Sequence, residues 1–246
     1  MIPEGFKEKI KDVLGDEYPA FIEALETKDA VRGMRANLIK TTPEKICSDG
    51  EFLLEPTGYV DNGFILREER AMGASPYHHA GMVYMQDPGA MASAAALDVE
   101  SDWWVADLCA APGGKSSQIA ERLGKGGFLL SNEYVPKRAK IIVGNFERLG
   151  VKNAIVTSLD TAKLRDMYEG VFDLVIVDAP CSGEGMFRKN EEAITEWSEE
   201  NVRICAERQR GILKNASKLV KCGGRIIYST CTWSISENEE IIKMEF

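Results

Sequence analysis

Trp103-Trp-Val-Ala-Asp107-Leu-Cys109-Ala110-Ala111-Pro112-Gly113-Gly114-Lys115-Ser116 is the stretch that decides the fold. An apolar run ends on a carboxylate, a short loop with two adjacent glycines follows, and a helical pattern opens at Ser116 and continues to Leu123. Glycines between a strand and a helix let a ligand approach the backbone and the N–H groups of the helix start. The loop does not have the G-x-G-x-x-G order of a dinucleotide fingerprint. It misses the phosphate-binding pattern G-x-x-x-x-G-K-[ST] by one residue, because Cys109 holds the first glycine position.

Working outward, strand-like runs recur at Gly127–Asn132, Ala154–Ser158, Phe172–Val177 and Arg225–Ser229. Helical runs lie between them at Pro136–Leu149, Ala162–Tyr168 and Glu199–Leu219. Regular alternation of this kind predicts an α/β domain with a parallel sheet and crossover helices. Ser236-Glu-Asn-Glu239 has capping-box spacing and predicts one more helix start. On the N-terminal side, residues 1–30 read as helical, residues 33–85 as a small α+β region, and Gly89–Leu97 as a helix. The predicted division is an N-terminal domain over 1–85 and a catalytic domain over 86–246.

The chain has 246 residues, of which 44% are hydrophobic and 28% charged, as in ordinary globular proteins. No apolar run reaches the ~18–20 residues of a membrane span, and no signal peptide is read at the N-terminus. The six cysteines lack CxxC spacing, which argues against zinc and a disulfide scaffold and for reduced thiols in the cytoplasm. A net charge of −9 argues against gripping nucleic acid by bulk electrostatics. Local basic patches remain at Lys137-Arg138-Ala-Lys140, at Arg188-Lys189, and at Arg203 with Arg208 and Arg210.

The chemistry gathers at predicted strand ends, where open α/β sheets present their ligands. Glu133, Asp160 and Asp178 end the second, third and fourth strands. Three acceptors suit a nucleoside with hydroxyl and amino donors; without a metal they would repel a triphosphate. Each could instead cap the helix that follows it. Two cysteines, Cys181 in Asp178-Ala-Pro-Cys181-Ser-Gly and Cys231 in Ser229-Thr-Cys231-Thr, follow the last two strands. Cys47, Cys205 and Cys222 stand outside any motif and read as small buried hydrophobes, and Trp103, Trp104 and Trp197 read as packing residues.

Asp107-Leu-Cys-Ala-Ala-Pro-Gly-Gly-Lys115, Asp178-Ala-Pro-Cys181-Ser-Gly-Glu-Gly185 and Tyr228-Ser-Thr-Cys231-Thr, in this order, resemble RNA (cytosine-5) methyltransferases of the Sun/Fmu type. The resemblance is to the RsmF-like bacterial branch that modifies 16S rRNA. Arg35-Ala-Asn37 and Gln86-Asp-Pro-Gly-Ala-Met91 also look like the family's N-terminal signatures. The resemblance implies a Rossmann-like class I S-adenosylmethionine-dependent sheet with a small N-terminal α+β domain. It implies S-adenosylmethionine held by Cys109, Ala110, Ala111, Pro112, Gly113, Gly114, Lys115, Glu133, Asp160 and Asp178. It makes Cys231 the nucleophile toward cytosine C6, Cys181 the residue of product release, and Asp178 the holder of the cytosine edge. Arg188 and Lys189 are candidates for flanking phosphates. The partner it implies is RNA, 16S rRNA or the small ribosomal subunit, with no membrane and no metal, for a monomer. Against the family pattern, the final sheet strands and a C-terminal RNA-binding extension are missing. The expectation is therefore a truncated catalytic core with weak RNA binding and an exposed last strand. Two other readings are a non-catalytic cofactor- or RNA-binding assembly module and a P-loop-like NTPase.

Overall fold

The computed structural model describes residues 2–27, 29–68 and 72–245. The chain opens with α1 (Glu4–Leu14) and α2 (Tyr18–Thr27), followed by β1 (Gly33–Ala36), α3 (Pro43–Ser48), β2 (Leu54–Pro56), β3 (Gly63–Leu66), α4 (Pro76–His79), β4 (Val83–Met85) and α5 (Pro88–Ala95). The alternating part comprises β5 (Trp104–Asp107), α6 (Gly114–Ala120), β6 (Phe128–Asn132), α7 (Pro136–Leu149), β7 (Ala154–Thr157), α8 (Thr161–Met167) and β8 (Phe172–Asp178). It continues through α9 (Glu191–Glu196), α10 (Glu199–Leu219), β9 (Val220–Ser229) and α11 (Glu239–Glu245). Two compact units result. One gathers residues 1–30, 177–217 and 228–246, and the other residues 31–176 and 218–227.

The second unit holds both sheets. The smaller is antiparallel in the order β2-β3-β1-β4, with Met34 opposite Phe64 on one side and Met85 on the other. The larger runs β7-β6-β5-β8-β9, and its pairs β5/β6, β5/β8 and β6/β7 are parallel. This is the predicted α/β architecture, with the earliest strand at its centre. Parallel strands covered on both faces need continuous apolar runs, and Leu174, Val175, Ile176 and Val177 are all buried. The core gathers Val105, Leu129, Leu174 and Ile176 from the strands with Ile119, Ile142 and Phe146 from α6 and α7. Helix α7 turns Ala139, Ile142, Phe146 and Leu149 inward at helical spacing.

Strand β9 starts at Val220, five residues before the predicted Arg225. Lys221 is ion-paired to Asp173 of β8, whose carboxylate also accepts from the Trp104 N–H at 2.8 Å. That tie holds the start of β9 against β8, and the strand passes through Gly223 at φ +77°.

In the first unit, Phe6 of α1 meets Phe187 edge-on at 5.1 Å and Trp197 at 6.2 Å, and Phe21 of α2 meets Trp233 at 5.0 Å. The long helix α10 buries Val202, Cys205, Ala206, Gln209 and Leu213, while Arg203 pairs with Glu200 and Glu207 on its outer face. The cysteines outside the motifs correct the expectation in part. Cys205 is buried, but Cys47 and Cys222 are exposed, on a short helix and on the first residues of β9. The capping box at Ser236 does not form either. A 3₁₀ turn covers Ile235–Glu237 and α11 opens at Glu239, because Glu237 turns into a buried polar cluster.

Leu129 is fully buried at the middle of the parallel sheet, whereas Ile155 on the outer strand β7 is 53% exposed. Leu129→Ala is expected to cost about 2–5 kcal/mol in urea unfolding, and Ile155→Ala within about 0.5 kcal/mol.

Candidate active site

The strand-end residues fall into two sets, one in each unit. In the sheet unit, β5 ends on Asp107, which is buried and accepts from Ser116 Oγ at 2.7 Å. The backbone then leaves the sheet through Cys109–Pro112, with a cis bond at Ala111–Pro112, and enters α6 at Gly113. Gly113 has φ +105°, a left-handed conformation that favours glycine. Ala110 N–H donates to Asn132 O at 2.8 Å and Gly113 N–H to Ala110 O at 2.6 Å, which closes the turn. The loop's carbonyls are tied from outside: Asn145 Nδ2 donates to Pro112 O at 2.8 Å and Arg138 to Ala111 O at 3.3 Å.

Glu133 follows β6 and is 4% exposed. Its Oε1 accepts from the Val135 N–H at 3.0 Å, and Arg138 stands 3.4 Å from Oε2. The result is a fixed two-oxygen acceptor suited to a pair of hydroxyl donors. Asp160 takes the capping role that was its simpler reading: Oδ1 accepts from Ala162 N–H at 2.8 Å at the start of α8.

Two residues that the sequence reading gave no role hold this set together. Asn132 donates to Leu108 O and Leu159 O at 3.2 and 3.0 Å, and its Oδ1 accepts from Thr157 Oγ1 and Leu159 N–H at 2.8 and 2.9 Å. One amide thus joins the ends of β5, β6 and β7. Arg35, completely buried in β1, is ion-paired with Glu121, and it donates to Gln86 Oε1 at 3.1 Å and to Ser117 Oγ at 2.8 Å. Burial lowers the proton affinity of its guanidinium. An arginine inside the apolar run Gly33-Met-Arg-Ala36 was the available signal, since a buried cation needs partners.

In the other unit, Asp178 ends β8 and accepts from Ser229 Oγ at 2.8 Å, and Ala179 N–H donates to Ser229 O at 2.8 Å. These bonds align two chain segments that lead to the two cysteines. Cys181 and Cys231, 50 residues apart in sequence, face each other with Sγ atoms 3.2 Å apart, and the Cys231 N–H points at Cys181 Sγ at 3.3 Å. Gly185 closes the arrangement. Its N–H donates to Cys231 O at 2.7 Å, and a Cβ there would stand 2.8 Å from that oxygen, so a side chain does not fit. The hydrogen bond to Cys231, burial and the charge of a Cys231 thiolate all push the Cys181 thiol far up, so Cys181 keeps its proton. Burial lowers the Lys189 ammonium, and negative charge on Cys231 acts the other way. Arg188 and Lys189 line a cavity of about 670 Å³ with Asn190, Glu26 and Asp29.

Two family models match this chain. The model of the 16S rRNA methyltransferase RsmB/F covers residues 94–246, and that of the N-terminal domain of 16S rRNA methyltransferase RsmF covers residues 2–88. The chain belongs to the RsmB/F methyltransferase family. It is 34% identical to a ribosomal RNA small subunit methyltransferase F of Vibrio parahaemolyticus, over 98% of this chain and 52% of that protein. The chain spans about half the length of the curated relatives it matches. Among solved structures it is similar to PH0851, with TM-score 0.92 and 27% identity over 99% of this chain and 56% of that one. It is also similar to a methyltransferase homolog from Pyrococcus horikoshii, with TM-score 0.86 and 27% identity over 98% and 77%. Membership replaces the NTPase reading of the glycine loop. The family's loop, Cys109–Lys115, lies in the sheet unit and the family's two cysteines lie in the other.

A thiol that holds its proton more tightly folded than unfolded stabilises the fold fully below the unfolded thiol pKa, about 8.5. That contribution is lost as pH rises from there toward the folded value. Urea unfolding from pH 7 to 10 is therefore expected to show stability falling with pH less steeply in Cys181→Ala than in the parent chain. Equal slopes would contradict the raised Cys181 pKa.

Proposed function

We propose that this chain is the catalytic part of an enzyme that methylates C5 of cytosine in RNA, with small-subunit rRNA as substrate, S-adenosylmethionine as donor and Cys231 as covalent nucleophile. The observation that carries the reading is the thiol pair: two cysteines in the family's motifs with sulfurs 3.2 Å apart, where the hydrogen bond to Cys231 and burial push the Cys181 thiol up.

S-adenosylmethionine, when bound, supplies an electrophilic methyl group on a sulfonium. The residues of the sheet unit fit such a donor. Backbone N–H groups at the start of α6 and the left-handed Gly113 let a ligand approach closely, and the Glu133 carboxylate is an acceptor-only group matched to ribose hydroxyls. Cys109–Lys115, Glu133 and Asp160 would hold it.

Cytosine C5 is too weak a nucleophile to take a methyl group unaided. The Cys231 thiolate adds to C6, forming a C–S bond and moving the ring's electron pair to C5, while Asp178 holds the N3/N4 edge. This is covalent catalysis, which divides one hard step into easier ones. Addition also consumes the negative charge on Cys231 that kept Cys181 protonated. No longer held up by that charge, Cys181 can then release its proton to water and, as a thiolate, take the proton from C5. The C–S bond breaks, Cys231 leaves as a thiolate and aromaticity returns. The base must be out of its stack to be reached, and Arg188 and Lys189 serve flanking phosphates.

The test uses labelled S-adenosylmethionine with ribosomal RNA and with 30S subunits. Parent chain is expected to label cytosine C5. Cys231→Ala should lose at least about 10³-fold in rate, as for removal of a nucleophile. Cys181→Ala should accumulate a covalent RNA–protein adduct that is absent in Cys231→Ala. Methyl transfer undiminished in Cys231→Ala would reject the covalent mechanism. Binding of donor and RNA with no transfer by the parent chain would favour a non-catalytic assembly module.

A further inference from the structure

Ser182 follows Cys181 and Thr232 follows Cys231, and both lie in a buried polar cluster that the proposed chemistry does not use. Thr232 Oγ1 donates to Glu184 Oε2 at 2.7 Å, and Ser182 Oγ donates to Glu237 Oε1 at 2.5 Å. The two hydroxyls stand 3.0 Å apart. A hydroxyl has one proton, and here each proton points to a carboxylate. The Ser182–Thr232 contact is thus flanked on both sides by carboxylates that hold each hydroxyl from the far side.

Those carboxylates are themselves anchored. Glu184, 4% exposed, accepts from Trp197 Nε1 at 3.0 Å and from the Trp233 N–H at 2.9 Å. Glu237, 0% exposed, accepts from the Ser182 N–H and from Gln209 Nε2, both at 2.9 Å. Gln209 also donates to Pro180 O at 3.0 Å, and Tyr228 Oη donates to Glu237 O at 2.7 Å. Charge-assisted bonds of this kind are short and strong, and in a buried site they fix the orientation of the groups they join. These contacts reach four residues within two positions of a thiol: Pro180, Ser182, Thr232 and Trp233.

Resting on the reading of Cys231 as nucleophile, we infer that Glu184 and Glu237 are positioning residues for the thiol pair. They hold the Cys181 and Cys231 loops in register through Thr232 and Ser182 and so set the 3.2 Å separation of the sulfurs. Both carboxylates are buried, and their hydrogen-bond partners are protein groups. Glutamine is a poor replacement at either position, because its amide presents donors where the cluster already supplies donors.

Two readouts on the 246-residue chain test this. The first needs no RNA or donor. Diamide oxidises two neighbouring thiols to a disulfide, taking up their two hydrogens as the hydrazine, and peptide mass spectrometry follows the Cys181–Cys231 product. The second is the split between kcat and KM in methyl transfer. Thr232→Val removes the hydroxyl with little change of volume, Thr232→Ser restores it, and Glu184→Gln and Glu237→Gln address the carboxylates directly. Thr232→Val is expected to slow disulfide formation about 10-fold and lower kcat about 10- to 100-fold, as for displacements of about 1 Å, with KM for the donor unchanged. Thr232→Ser is expected to recover both. Should the glutamine variants fail to fold, the threonine pair carries the test. Wild-type disulfide rates and kcat in Thr232→Val would overturn the inference. Slowed disulfide formation in a chain whose parent transfers no methyl group would uphold the positioning role and reject the proposed reaction.

Discussion

Two thiols 3.2 Å apart can share one negative charge but resist carrying two. The two strand-end cysteines are governed by that constraint. It makes the two cysteines unequal, because the hydrogen bond to Cys231 and the charge there push the Cys181 thiol up. In the proposed reaction it also orders events, because covalent use of Cys231 would remove that charge. A pair set several ångströms wider would behave as two ordinary thiols, so the separation has to be held. Gly185 against Cys231 O and the Glu184–Thr232–Ser182–Glu237 chain hold it from two sides.

The residues around the glycine loop obey a different constraint. A parallel sheet ends in loops whose backbone groups need partners. In the sheet unit that need is met by side chains, chiefly Asn132 across the ends of β5, β6 and β7 and Arg35 against α6. The glycine loop is closed by its own Gly113 N–H on Ala110 O, and its Pro112 and Ala111 carbonyls are fixed by Asn145 and Arg138. The same polar bonds hold the left-handed Gly113 at the helix start.

The sheet was legible in the sequence because parallel strands read as short apolar runs between amphipathic helices, and α7 and α10 kept their predicted bounds. The loop at Cys109–Lys115 and the paired cysteines were legible because motif order gives chain position directly. What escaped was tertiary. Strand β9 began early because Lys221 reaches Asp173, a pairing between residues far apart in sequence. The capping box at Ser236 failed because Glu237 had partners in Ser182 and Gln209 that local spacing does not reveal. Glu184 lay inside a quoted motif, yet its role depends on Thr232 and Trp197. Arg35 was the one case with a local warning, a cation in an apolar strand.

The central claim is that the Cys231 sulfur bonds to cytosine C6 during methyl transfer. A 5-fluorocytidine-substituted ribosomal RNA tests it most directly, since fluorine at C5 leaves no proton to remove and blocks the closing elimination. Incubated with S-adenosylmethionine, the chain is expected to form a stable, methylated RNA adduct that peptide mass spectrometry locates on Cys231. An adduct on Cys181, or full methyl transfer to unsubstituted RNA with no adduct on the fluorinated RNA, would contradict the account.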